Sequence, residues 1–222
     1  LFAAALALGL ALATALWHWS GTDSSLAAML RYVQSYLPAG QTLEARAVSG
    51  SVRSGGHIGM LRWTRGDLSL QADDIDIAWS IKPLLQRRLH LGQLSARLLT
   101  IDDKGPGSDA QTLAPPTDLR LPFTVDVPFV FHAVRLTGAN AFEAKEVSGH
   151  YIFDSSLHIL NKGQATISYG TYQFSGSLQA QAPMALKLQV DGAIQTTLPS
   201  SQQPLTVQAH AKLEGELASP DA

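Results

Sequence analysis

The chain has no cysteine and few charged residues. Without cysteine it can form neither disulfides nor thiolate metal sites. Lysine, arginine, aspartate and glutamate make up 15% of its 222 residues, whereas an average soluble domain has roughly 25%. The 16 basic and 18 acidic side chains are spread along the sequence and give a net charge of −2. We therefore predict that nucleic acid is not a partner, because such binding needs a basic surface.

Motifs for catalysis and metal binding are also missing. The histidines form no H-x-H or H-E-x-x-H pair. Asp73, Asp74 and Asp76 lack the spacing and the glycine of an EF-hand loop. The Gly-Pro-Gly sequence at 105–107 has no strand-to-helix context for a phosphate loop, and no G-x-S-x-G motif is present. We predict that the protein is not an enzyme and that it uses no metal or cofactor.

The first 19 residues, LFAAALALGLALATALWHW, carry no formal charge. As a helix they would extend about 28 Å, which is enough to cross the core of a bilayer. Trp17 and Trp19 end the segment, and tryptophan favours the membrane interface. We predict a transmembrane anchor over residues 1–20, with these two residues at the interface. The A-x-A pattern at 13–15 leaves open a cleaved signal peptide. Either interpretation places the remainder outside the cytoplasm.

Residues 21–40 predict a short amphipathic helix. Thr22, Asp23 and Ser24 are residue types that cap helix N-termini, and a Pro-Ala-Gly sequence at 38–40 ends the run. Apolar residues recur at helical spacing. They are Leu26, Met29, Leu30, Val33 and Leu37. Packing of this stripe on the rest of the fold is favoured over a membrane surface, because Arg31 is the only basic residue of the polar face.

From residue 41 to residue 222, apolar and polar residues alternate, which predicts β-strands. The run at 205–217 would be about 43 Å long, whereas ordinary strands measure about 17–20 Å. The predicted fold class is mainly β, with long antiparallel strands that form an elongated curved sheet, or β-groove. A polar loop rich in proline and glycine interrupts it near 102–122. Because the chain starts with Leu1, we expect it to be part of a longer protein.

Two local patterns predict irregular strands. Apolar residues have even numbers before Asp73 and odd numbers after Asp74, which predicts a bulge or tight corner there. Pro128 lies in an alternating run but cannot donate a ladder hydrogen bond, which predicts an edge position or a bulge.

Several sequence segments carry a family resemblance. They are the apolar segment at 1–19, the helix at 26–37, VSGSV at 48–52, LSLQADDIDIAWSIKPLLQRRLHLGQLSARLLTID at 68–102, LRLPFTVDV at 119–127 and YGTYQFSGSL at 169–178. In the longest segment, a strand ending at Trp79 enters a Pro-Leu-Leu turn at 83–85 and returns as a second strand. In the order and pattern of these segments, the chain resembles the N-terminal part of proteins of the AsmA-like family. This family is grouped with the bridge-like lipid-transfer proteins.

The resemblance implies a translocation and assembly module component, single-pass in the inner membrane of a Gram-negative bacterium, with its bulk in the periplasm. It implies that phospholipids are carried towards the outer membrane through the groove. It also implies that the groove domain at 41–222 continues beyond this chain, and that a C-terminal part engages a TamA-like barrel. One alternative is an assembly factor or chaperone for outer-membrane β-barrel proteins or autotransporters. Another is a purely structural exported β domain with a sealed core.

Apolar residues on one side of the predicted strands are the candidate lipid-groove positions. They are Ile75, Ile77, Trp79, Phe129, Phe131, Leu186, Leu188, Val190, Ile194, Leu205, Val207, Leu213 and Leu217. On the last strand, Ala209, Ala211 and Gly215 share that side. Small residues there favour an open face over a filled core.

Overall fold

The computed structural model describes residues 2–80, 83, 86–103, 118–138, 141–168, 170–197 and 204–217. Among these residues, two helices precede ten strands. The helices are α1 (Phe2–Ser20) and α2 (Ser25–Ser35). The strands are β1 (Gln41–Ser51), β2 (Gly55–Arg65), β3 (Leu68–Trp79), β4 (Arg88–Asp103), β5 (Thr124–Thr137), β6 (Phe142–Phe153), β7 (Leu157–Ile167), β8 (Gly170–Gln179), β9 (Ala185–Thr197) and β10 (Pro204–Glu216). The prediction of a mainly β fold is therefore confirmed.

All ten strands form one curved, unclosed sheet in chain order, with β1 and β10 at its two edges. The strands contain 10–16 residues, so the longest, β4, extends about 53 Å. Neighbouring strands are antiparallel, as predicted, except that β4 and β5 are parallel. A parallel pair needs a connection that returns the chain along the strands. The predicted polar loop near 102–122 connects this pair, although 104–117 lie outside the described residues.

The parity change predicted at Asp73 and Asp74 belongs to a crease that crosses six strands. No residue is inserted there, because Asp73 pairs with Leu98 and Ile75 pairs with Ala96. Of the two predicted alternatives, a bulge or a tight corner, the bulge is therefore wrong. Asp74 instead has a left-handed backbone, with φ of 51°. Six residues in one row have no pairing partner in the ladders from β1 to β6. They are Ala47, Gly59, Asp74, Arg97, His132 and Glu146.

Left-handed backbone recurs along the crease and keeps the apolar residues on one side of the sheet. Ala47 has φ of 52° and Glu146 has φ of 50°. A Cβ on Gly59 would lie 2.8 Å from the Cβ of Ala47, so a residue without a side chain fits between the bent strands. Ala72 and Ile75 pack in the same apolar cluster although they are three residues apart. The crease thus explains the parity change without a shift of register.

A bulge in β4 accommodates Pro128, as predicted. His90 pairs with Asp126 and Leu94 pairs with Phe129, so β4 has one residue more than β5 between these pairs. The pairing of β3 with β4 shifts at the same level, between Ala78 and Trp79. The proline therefore lies beside an interruption of the ladder between β4 and β5. A residue without an N–H group is tolerated at such a position.

The predicted amphipathic helix is α2. Ser24, one of the three residues predicted to cap it, is the N-cap residue, but it makes no side-chain capping bond. The fully buried Ser25 instead connects the start of the helix to its surroundings, since its hydroxyl donates to the Thr22 carbonyl at 2.7 Å and accepts the Val52 N–H at 3.0 Å. Leu26 is buried against β2, β3 and β4. The expected packing of α2 on the sheet is confirmed.

The first helix extends away from the sheet, and Leu10, Leu12 and Leu16 are each more than half exposed. The transmembrane anchor predicted for residues 1–20 is not supported. Among the residues that the structure describes, no helix has both the length and the apolar character needed to cross a membrane.

The crease predicts that valine lowers the stability at one position of β1 and leaves it unchanged at a nearby one. We expect Ala47→Val to lower the free energy of unfolding by about 2 kcal/mol, because a β-branched residue is strained in the left-handed region. Ser49→Val, on an exposed extended residue of the same strand, is expected to change it by less than about 0.5 kcal/mol. Urea unfolding followed by circular dichroism measures both. Equal losses would show that the crease does not constrain the backbone.

Candidate functional site

The apolar face of the sheet is divided into three regions. In the first, Leu26 of α2 covers Ile58, Ile75 and Ala96, which are all buried. The candidate groove residue Ile75 is only 2% exposed and lies in this packed cluster. Phe131, another candidate, packs against its margin. This region is therefore filled by protein.

The second region lies where β3, β4, β5 and β6 meet. Its buried residues are Leu91, Val125, Val127, Phe153 and Ala180. The candidates Ile77 and Trp79 are half-buried and contact both this cluster and the first one. The Trp79 Nε1–H donates to the Val52 carbonyl at 2.7 Å, which satisfies the indole in apolar surroundings. This region too is a packed core.

The segment before β5 lies against the end of the second region. The Leu119 N–H donates to the Ala180 carbonyl at 2.7 Å. The Leu119 carbonyl lies 3.2 Å from Nε2 of His158, whose Nδ1 lies 2.7 Å from the Tyr151 hydroxyl. A neutral imidazole with its proton on Nε2 satisfies both bonds, since it donates to the carbonyl and accepts from the hydroxyl. This network closes the apolar face at that end.

The third region, over β5 to β9, is open. It contains a cavity of about 440 Å³ whose lining includes Phe129, Leu160, Leu178, Leu186 and Leu188. Three of these were predicted from sequence, namely Phe129, Leu186 and Leu188. Tyr151 and His158 lie at the cavity as well, so it adjoins the hydrogen-bonded end of the second region. The cavity is thus an unfilled apolar surface in the described part of the sheet.

The pairing of β9 with β10 extends this apolar surface to the sheet edge. Leu188 pairs with Leu213, and Val190 pairs with Ala211. Cross-strand partners share a side, so these residues all lie on the apolar face. Ile194 of β9 occupies the register position opposite Val207, and Leu205 lies two residues before Val207 in β10. Val207, Leu213 and Leu217 are 42%, 56% and 51% exposed, and Leu217 follows the last residue of β10.

Three glycines on this face lie beneath aromatic rings of neighbouring strands, a feature that the sequence analysis missed. A Cβ on Gly149 would lie 2.7 Å from Cζ of Phe129. On Gly163 and Gly192, a Cβ would approach the rings of Phe174 and Tyr172 still more closely. Rings that cover cross-strand glycines shield the backbone and flatten the surface. The sequence signal, an aromatic residue opposite a glycine, becomes readable only once the register is known.

Glycine has a different role near the sheet edge. A Cβ on Gly215 would meet no atom within 4 Å. The small residues of β10 therefore border open space, as expected from their sequence. Small residues thus leave open space above the apolar face at this edge of the sheet.

The opposite face of the sheet is polar. Asp126 lies between two histidines, with His150 Nε2 at 2.5 Å from one carboxylate oxygen and His90 Nδ1 at 3.3 Å from the other. The hydrogen bond from His150, with a smaller effect of His90, holds the pKa of Asp126 below its usual value. Arg97 bonds to Asp74 at 2.5 Å across the crease. One side of the sheet thus suits water and the other suits hydrocarbon.

Comparisons with known proteins place the chain in no family. No protein-family model matches it, and neither a curated protein nor a solved structure does. The resemblance to the AsmA-like family remains a prediction from sequence.

The glycine positions provide a matched pair of substitutions. We expect Gly192→Ala to lower the free energy of unfolding by about 1–3 kcal/mol, because the added methyl displaces the Tyr172 ring. Gly215→Ala should change it by less than about 0.5 kcal/mol, because its methyl enters open space. Urea unfolding and the near-ultraviolet signal of Tyr172 measure the two effects. Equal stability of both variants would contradict the stacked arrangement.

The Asp126 cluster predicts an acid-dependent loss of stability. Because the folded state lowers the pKa of Asp126, its contribution is complete above the unfolded value of about 4. The contribution is lost as the pH falls through the lower, folded value. We expect Asp126→Asn to flatten the loss of unfolding free energy below about pH 4. Asp67→Asn, in the exposed turn after β2, is the control, and identical pH profiles for both variants would contradict the assignment.

Proposed function

We propose that the open apolar face binds the acyl chains of phospholipids and shields them from water. The observation that carries this proposal is the cavity of about 440 Å³ lined by Phe129, Leu160, Leu178, Leu186 and Leu188. It is accessible from one side, continues along β9 and β10, and has a polar face behind it. An elongated, flexible, apolar ligand fits this shape better than a compact one.

The energetics favour such a ligand. Each methylene removed from water contributes about 0.8 kcal/mol, so complete shielding of a long acyl chain is worth on the order of 10 kcal/mol. An open face recovers only the part of this energy that corresponds to the contacted side of the chain. Binding is therefore reversible enough for lipid to move along the face. The glycines of this face have no side chains and offer few obstacles to such movement.

Membrane attachment through α1 completes the proposal. Leu10, Leu12 and Leu16 are exposed, and Trp17 and Trp19 are about half exposed at its C-terminal end. Exposed apolar side chains are unfavourable in water and favourable in lipid, and tryptophan prefers the interface between the two. We assign these two residues to the membrane surface. The second helix then keeps the neighbouring part of the sheet covered.

In this proposal the protein is a TamB-like component of a translocation and assembly module. It is attached to the inner membrane and carries phospholipids through the periplasm towards the outer membrane, where a TamA-like barrel is the partner. The support is the sequence resemblance described above, together with the elongated unclosed sheet, its one apolar side and the exposed first helix.

Photo-crosslinking tests what occupies the apolar face. A photoreactive residue in place of Leu188, inside the cavity, should form adducts with phospholipid in membranes. The matched position is Gln189, the next residue, which is exposed on the polar side of the same strand and should form none. Lipid adducts at both positions, or at neither, would reject the proposal.

A charge on the apolar face should block lipid movement without unfolding the sheet. Val207 is 42% exposed, so an aspartate there stays hydrated while the face is empty. An acyl chain that passes over it would have to desolvate the charge, at a cost of several kcal/mol. We expect Val207→Asp to lose lipid transport at normal abundance. Gln208→Asp, on the opposite face, should keep transport. A loss of abundance for Val207→Asp alone would instead favour a sealed structural domain.

A second candidate function is assembly of outer-membrane β-barrel proteins. The observation that favours it is the outer edge of β10, which pairs on one side with β9 and on the other with no described residue. A client strand could add to such an edge through backbone hydrogen bonds. A photoreactive residue in β10, added to the crosslinking experiment above, discriminates between the two functions. A client would give polypeptide adducts at β10 and no lipid adducts at Leu188.

A further inference from the structure

The turn between β1 and β2 holds the end of the first helix. The Arg53 N–H donates to the Ser20 carbonyl at 3.0 Å, and its Nη2 donates to the Trp17 carbonyl. The last carbonyls of a helix have no partner within the helix and carry the negative end of its dipole. A guanidinium is therefore well suited to this position, because it supplies both positive charge and several N–H donors.

The guanidinium of Arg53 is also enclosed by its surroundings. Its Cζ lies 4.0 Å from the centre of the Trp17 ring, in a cation–π contact. A Cβ on Gly21 would lie 3.0 Å from the same Cζ, so a side chain there would displace the guanidinium. Among the described residues, Arg53 Nε is the one buried side-chain nitrogen or oxygen without a hydrogen-bond partner. The guanidinium is thus confined by the Trp17 ring, by Gly21 and by the Trp17 carbonyl.

The same turn is hydrogen-bonded to β3 and to α2. Val52 accepts the Trp79 indole N–H at 2.7 Å through its carbonyl and donates its own N–H to Ser25 at 3.0 Å. Trp79 in turn contacts both buried clusters of the apolar face. Both helices and the packed core therefore meet at two consecutive residues, Val52 and Arg53.

The connection between the two helices is short and hydrogen-bonded. Four residues join the last residue of α1 to the first of α2, the Ser25 hydroxyl donates to the Ser20 carbonyl at 3.1 Å, and the Gly50 N–H donates to the Asp23 carbonyl at 3.0 Å. Leu10, Leu12 and Leu16 of α1 are exposed. The contacts of Arg53 with Trp17 and Ser20 restrict the remaining freedom of the first helix about this connection.

We propose that Arg53 is a positioning residue that fixes the direction of α1 relative to the apolar face. Its role in lipid movement rests on the proposed function, because a membrane-attached helix held at one angle presents the face to the bilayer in one orientation. The joint itself is independent of that function. Lysine is a poor substitute, because it has no planar group that can stack on Trp17 while donating to helix carbonyls.

Spin-label distances test the joint directly. Since the chain has no cysteine, Leu12→Cys and Asp67→Cys introduce two unique labels, one on the exposed helix and one in the turn after β2. In vesicle-bound protein we expect a single narrow distance distribution. Arg53→Ala should broaden it several-fold, and Arg53→Lys should give an intermediate width. Arg46→Ala, which removes an exposed arginine of β1, is the matched control and should leave the width unchanged.

Unfolding measurements and a second variant make the outcome decisive. The joint lies outside the buried clusters, so Arg53→Ala should unfold the sheet at nearly the wild-type temperature. A narrow distribution in folded Arg53→Ala would overturn the proposal, as would a lower unfolding temperature with an unchanged distribution. If Arg53→Ala does not fold, Trp17→Leu decides, because it keeps an apolar residue and removes the stacking. Its distribution must broaden for the proposal to stand.

Lipid adducts separate failure of the joint from failure of the proposed function. With the photoreactive residue at Leu188, Arg53→Ala should give several-fold fewer adducts with vesicle lipid. Adducts with a soluble short-chain phospholipid should be unchanged, since the cavity itself is intact. Absence of adducts in the wild type would reject lipid binding while leaving the distance result valid. Equal vesicle adducts in wild type and Arg53→Ala would overturn the positioning role.

Discussion

An unclosed sheet with one apolar side has more hydrocarbon surface than its own chain can cover. Closure or a second layer of structure normally removes such surface from water. Here α2 covers the first strands, and the segment around Leu119 borders the packed core near β5 and β6. The cavity between β5 and β9 receives no such cover from described residues. The proposed function depends on this unequal coverage of the apolar face.

The uncovered part is also built differently from the covered part. In the two packed regions, large side chains such as Phe153 and Ile75 interdigitate and are excluded from water. Around the cavity, aromatic rings instead lie over glycines of the neighbouring strand, as Phe129 does over Gly149. Such rings shield the backbone next to the open cavity. Aromatic residues therefore form part of the open surface here, whereas Phe153 belongs to a packed core.

Alternation of apolar residues predicted the strands and much of the candidate surface, because a period of two directly reflects the strand geometry. It placed Leu186 and Leu188 on the same side as Leu213, which the register bears out. It could not show that Ile75 lies beneath a helix, since a residue's parity says nothing about what packs above it. The parallel pairing of β4 with β5 was equally inaccessible, because it joins strands across a long connection.

The crease was visible in the sequence but only partly understood. In β5, the apolar residues run on odd numbers to Phe131 and continue on even numbers from Val134, as they change parity in β3. A single strand with this pattern suggests a local insertion. Six strands that change parity in one row leave five neighbouring ladders each without one pair. Resistance to bending is therefore lowest along that row, so the sheet has a built-in fold line, about which its curvature can change while the hydrogen bonds on either side remain intact.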